Sequence, residues 1–130
     1  MSDLDLSRSY GRCLLDPQFL DRFYDRFIAS SPAVAERFAK TDMARQKDMM
    51  RSSLSMLVMF DKGKPIARPT LDQLRVSHGP GRYAIPRQMY EDWLECLLVS
   101  VRESDRQLTP ELEARWREAM TKGIAYMTGS

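Results

Sequence analysis

The stretch "LDQLRVSHGPGRYAIP", residues 71–86, holds the only histidine of the chain, His78. Leu74 lies four residues earlier, so on a helix the aliphatic side chain and the imidazole share one face. The helical pattern stops at Gly79-Pro80-Gly81, which presents the ring on a last turn instead of packing it beneath another. Ser77 beside it can take a hydrogen bond from one ring nitrogen while the other meets a metal. A flat apolar ledge and a neutral nitrogen are what an axial haem ligand needs. Tyr24 and Gln46 are polar residues set in otherwise apolar helical stripes. Burying such groups without partners costs about 1–3 kcal/mol each, so the pair points to hydrogen bonding with something held between helices.

Each residue also has a plainer reading. A histidine at a helix C-terminus is favoured by the helix dipole alone. Gln46 stands between Arg45 and Lys47, and a shift of register by one position turns it to solvent. Tyr24 can be a core tyrosine with its hydroxyl on a backbone carbonyl.

The elements that must position these residues are helical. Sustained alternation and Asn-Gly or Asp-Gly hairpin signals are absent, whereas helix punctuation is frequent. Asp16-Pro17, Ser31-Pro32 and Thr109-Pro110 each read as N-cap followed by the first helical position. Thr41 or Asp42 can cap another helix, and Thr70 with Gln73 has capping-box spacing. The pattern predicts an all-α fold of about seven helices, at roughly 3–14, 17–30, 32–39, 42–60, 70–78, 86–103 and 110–127, in one domain spanning 1–130. The longest connection is expected at 61–69. Phe19, Phe23, Tyr24, Phe27 and Ile28 form an aromatic stripe on the second helix. Met43, Gln46, Met50, Ser53, Leu54 and Leu57 face inward from the fourth. Leu71, Leu74, Val76 and His78 lie on the fifth, with Leu74 one turn before the histidine. Met89, Trp93, Leu97 and Val101 belong to the sixth, and Leu112, Trp116, Met120, Ile124 and Met127 to the last.

Composition narrows the function. The formal net charge is +2 with acids and bases interleaved, unlike the concentrated basic face of a nucleic-acid binder. No apolar run reaches the roughly 20 residues that cross a bilayer, and the N-terminus lacks a secretory pattern. A cytoplasmic protein without nucleic-acid or membrane partners is expected. Cys13 and Cys96 lack zinc or redox spacing and read as buried small hydrophobes. Met49, Met50, Met56 and Met59 read as adaptable core filling.

In their order along the chain, these segments resemble those of bacterial single-domain globins. "FYDRFIASSPAVAERF" is similar to the segment that carries a distal aromatic residue and ends in a phenylalanine against haem, here Phe38. "TDMARQKDMMRSSL" resembles the distal helix, "LRVSH" the proximal histidine region, and "IPRQMYEDWLECLL" and "ELEARWREAM" the last two helices. The resemblance runs from about residue 17 onward. It implies a globin fold around haem b, iron protoporphyrin IX, with His78 as iron ligand and Phe38 clamping the porphyrin. It also implies a distal pair, Tyr24 and Gln46, with Met50 and Leu54 lining the pocket and Leu74 on the proximal face. Trp93 resembles the tryptophan of some truncated haemoglobins, although it stands fifteen residues after the histidine, a slightly longer spacing. Arg45, Lys47, Arg75 and Arg82 read as solvated face, with one or two, Arg82 among them, available to the haem propionates.

The resemblance is to a short globin with a first helix. It lacks the truncated family's glycine pairs, and no glutamate follows Glu118 to form a proximal charge relay. The expected function is reversible binding of O2, and of NO and CO, for oxygen binding, gas sensing or NO detoxification. Any nitric oxide dioxygenase activity needs an external reductase, so ligand binding is the primary expectation for a monomer or homodimer. The alternative is a haem-free globin-fold signalling or interaction module. A histidine phosphotransfer bundle wants an exposed mid-helix imidazole, which the break at Gly79-Pro80 does not provide.

Overall fold

Side-chain oxygens open four of the helices. Asp5 accepts from the Ser7 and Arg8 amides at 2.9 and 3.4 Å, and Ser31 from Val34 at 3.2 Å. Asp42 accepts from Arg45 at 3.3 Å and Thr109 from Leu112 at 3.1 Å. Each satisfies an amide that the first helical turn otherwise leaves without a partner. The computed structural model describes residues 5–79 and 84–129, and among these it contains helices and no strand. The helices are α1 (Leu6–Leu14), α2 (Phe19–Ser30), α3 (Pro32–Phe38), α4 (Met43–Asp61), α5 (Arg68–His78), α6 (Arg87–Ser104) and α7 (Pro110–Thr128).

Two starts differ from the sequence expectation. Asp16 does not cap α2. Its carboxylate accepts from the Gln18 amide at 2.9 Å, closing a turn before the helix begins at Phe19. Thr70 lies inside α5, because a 3₁₀ turn over Pro65–Ala67 runs straight into Arg68 and brings the helix start forward. The long connection expected at 61–69 is correspondingly shorter.

Packing follows the apolar stripes. α2 lies on α3 and α6; α7 packs on α4, α5 and α6; α1 closes the end formed by α6 and α7. Phe19, Phe23, Leu71, Leu97 and Trp116 are fully buried. Val76, on α5 with Leu74 and His78, is 63% exposed. It lies two residues from both Leu74 and His78, roughly 200° round the helix from each, so all three cannot share one face. Cys13 and Cys96 are buried, and burial pushes the Cys13 thiol up to about 12, leaving it inert. No helix among the described residues is long and apolar enough to cross a membrane.

Where α4 meets α7, Gly123 is required by space. A Cβ at that position would stand 2.3 Å from Leu57 Cδ2, and Leu57 is itself buried in the core. Gly123→Ala gains about 1 kcal/mol of helix propensity but overpacks this seam at a cost of about 1–3 kcal/mol. A net loss of about 1 kcal/mol is expected in urea unfolding. Combining Gly123→Ala with Leu57→Ala should cost less than the sum of the two single changes, because one makes the room the other needs.

Candidate functional site

α5 ends at His78, where the backbone turns extended at Gly79. The ring folds back on its own helix: Nδ1 lies 2.9 Å from the Leu74 carbonyl oxygen and 3.0 Å from Ser77 Oγ. A carbonyl can only accept, so Nδ1 carries the proton and the lone pair of the neutral ring is on Nε2. Burial lowers the His78 pKa and the charge of Arg37 lowers it further, against the opposing effect of the Leu74 bond. The imidazole is therefore neutral at pH 7, the form that ligates metals.

His78 stands in the wall of a cavity that encloses about 910 Å³ between atoms, counting the part open to solvent. Tyr24 and Phe27 reach it from α2, and Arg37 and Phe38 from α3. α4 gives Gln46, Met49, Met50, Ser53 and Leu57, and α5 gives Leu74 beside His78. Ile85 with Met89, Tyr90 and Trp93 of α6, and Ile124 and Met127 of α7, complete the wall.

An aromatic cluster fixes one end. Tyr24 meets Phe23 and Phe38 edge-on, with centroids 4.9 and 5.7 Å apart, and Trp93 meets Phe23 at 6.1 Å. The Gln46 amide donates to the Tyr24 hydroxyl at 3.1 Å. Burial pushes the Tyr24 phenol up to about 12, against the opposing effect of that bond, so it keeps its proton. The hydroxyl accepts from Gln46 and retains an O–H to donate.

The chain matches the crystal structure of a protein from Pseudomonas aeruginosa PAO1 that is structurally highly homologous to a human hemoglobin, with a TM-score of 0.91 and 36% identity over 99% of this chain and 97% of that one. The chain belongs to the globin family. No family model and no curated protein matches it.

In this globin the cavity brings together Tyr24, Phe38, Gln46, Met50, Leu74, His78 and Trp93. Leu54 is not in the wall. It is fully buried in the core behind it, because the cavity stripe of α4 runs through Gln46, Met50, Ser53 and Leu57. Arg82 lies outside the described residues. Arg45, Lys47 and Arg75 do not reach the cavity: Lys47 pairs with Asp21 at 2.7 Å, and Arg75 lies over the Tyr126 ring. Sequence reasoning missed Arg37, Ile85 and Tyr90, and it read Met49, which lies half exposed in the wall, as core filling. The three-residue step from Tyr90 to Trp93 puts both on one face of α6 and was the available signal for the tyrosine. Arg37 on its short helix carries no such signal.

Proposed function

We propose that this globin binds haem b through His78 and uses Tyr24 and Gln46 to hold a diatomic gas. The observation that carries this reading is a neutral histidine, its proton fixed on Nδ1, in the wall of a largely apolar cavity. No group of three or more His, Cys, Asp or Glu side chains comes together among the described residues. His78 can supply one coordination position, and a macrocycle suits the rest. The donor set and the aromatic and aliphatic wall fit a flat porphyrin.

His78 Nε2 would hold the iron, with the Leu74 carbonyl and Ser77 orienting the ring. Leu74 and Phe38 would press on the porphyrin. Bound there, haem iron supplies a site for reversible binding of O2, NO or CO. Tyr24, its hydroxyl oriented by Gln46, would donate to the gas, and the apolar wall would exclude competing water. The primary role in this reading is ligand binding; nitric oxide turnover would draw electrons from a separate reductase.

Titration of the purified chain with haemin tests the proposal. A one-to-one Soret band that shifts on reduction and again with CO supports it; a spectrum no different from free haemin overturns it and leaves the haem-free module. A second measurement addresses Tyr24. Tyr24→Phe removes the donor but keeps the ring packing, and a hydrogen bond of ordinary to charge-assisted strength is worth about 1–3 kcal/mol. Oxygen should leave the variant roughly tenfold faster in stopped-flow displacement, with CO affected much less because it accepts hydrogen bonds poorly.

A further inference from the structure

Met49 and Met50 of α4, Met89 of α6 and Met127 of α7 all line the cavity, and their exposure is graded. Met50 and Met89 are buried, at 6% and 7%, and Met127 is partly buried. Met49 is 52% exposed, the one exposed methionine among the described residues, so it stands where the wall meets solvent. The thiols that would compete with it for an oxidant are withdrawn. Cys13 and Cys96 are both buried, and burial raises both pKa values, so neither is a thiolate at pH 7.

We propose that Met49 is a site of oxidation by hydrogen peroxide, and that its sulfoxide loosens the cavity's hold on an apolar ligand. A lone pair on the Met49 sulfur attacks one peroxide oxygen, and the S–O bond forms as the O–O bond breaks. The displaced hydroxide takes the proton of the transferred oxygen and leaves as water. The thioether gives up two electrons and the peroxide gains them, so no further reagent enters. A thioether has no proton to lose, so exposure decides which methionine reacts, and burial shields Met50 and Met89. The product is polar and carries an oxygen that accepts hydrogen bonds from water. Seating an apolar body against it strips that water, a cost the thioether does not impose. The inference rests on the haem reading where the body is the porphyrin; the wall chemistry is the same for any apolar occupant.

The test treats the full chain with limited peroxide before any haemin is added, so that iron takes no part, and quenches with catalase. Peptide mapping by mass spectrometry should show Met49 fully converted to sulfoxide before Met50 or Met89 is altered. The oxidised chain should then bind haemin, and separately the uncharged dye Nile red, roughly tenfold more weakly. Met49 is exposed, so Met49→Leu and Met49→Gln should both keep the wild-type helical signal. Met49→Leu should hold its affinities through the same peroxide treatment. Met49→Gln, which places a polar group of similar length in the wall, should bind weakly without peroxide. Even oxidation of Met49, Met50 and Met89 overturns the proposal. So does an affinity unchanged once Met49 is oxidised, or an equal loss in Met49→Leu. If haemin gives no Soret band in either state while Nile red binding falls in a Met49-dependent way, the haem reading fails and the modification site stands.

Discussion

Replacing His78 with glycine should abolish the sharp Soret band formed with haemin, and added imidazole should restore it. The variant removes the only imidazole while leaving a hole for a free one. Losing a hydrogen bond that merely orients a metal ligand costs roughly 10–100-fold in affinity, so losing the ligand itself should exceed that range. Ser77→Ala supplies the comparison: the Leu74 carbonyl still holds Nδ1–H at 2.9 Å, so its effect should be at the low end of that range or below it. Recovery with imidazole separates ligation from misfolding, because a collapsed protein is not rescued by a small base. The pH dependence has a definite sign. Burial first, and the charge of Arg37, set the folded pKa of His78 below its ordinary value of 6.5. Between that lowered value and 6.5 the unfolded chain binds more protons, so folding stability declines as pH falls through this window and levels off beneath it. Haem should accordingly be held firmly at neutral pH and be lost only in acid.

How much of this was legible depends on how local each signal is. Ser31-Pro32 and Thr109-Pro110 announce α3 and α7, because cap and first-turn proline act within one turn. The Leu74–His78 step and the bond that the ring makes to Ser77 are equally local, and both can be read without knowledge of the fold. The start of α5 was misplaced because Thr70 looks like a cap in isolation. What decides it is the 3₁₀ turn over Pro65–Ala67, which the spacing of the capping box does not reveal. The resemblance places Leu54 in the pocket, but an inward helical face is about 100° wide or more, and only the neighbouring helices decide which part of it is cavity and which is core. Arg37 is a surface residue by every local criterion. Its place at the rim comes from the approach of α3 to the segment before α6, forty-seven residues away along the chain.

The least legible feature is a buried polar network, and its removal should have the largest effect on stability. Asp105, just past the end of α6, is buried, and its carboxylate takes Arg12 Nε at 2.5 Å and Arg12 Nη2 at 3.0 Å. It also accepts from Ser9 Oγ at 2.6 Å and the Gln107 amide at 2.9 Å, and Trp116 Nε1 donates to Ser9 Oγ at 2.8 Å. The network ties α1 to the turn between α6 and α7 and to the largest side chain of the core. Asp105→Asn removes the charge while nearly keeping the shape, and leaves Arg12 against a neutral amide. Breaking a fully buried pair costs about 3–5 kcal/mol; with the Arg12 side chain 25% exposed, a loss of about 2–3 kcal/mol is expected. Arg12→Met combined with Asp105→Asn should recover part of it, because the cation no longer lacks a counter-charge. Burial pushes the Asp105 pKa up, but the bonds from Arg12, Ser9 and Gln107 outweigh it and hold the folded value below 3.8. Above that unfolded value the network contributes its full stability, and the contribution is lost as pH falls through the lower folded value. Urea unfolding followed by Trp116 fluorescence should therefore show a wide gap between wild type and Asp105→Asn at pH 7. That gap should narrow in strong acid, as the wild type gives up what the variant never had. A gap unchanged down to the acid limit would mean that Asp105 stabilises through shape alone.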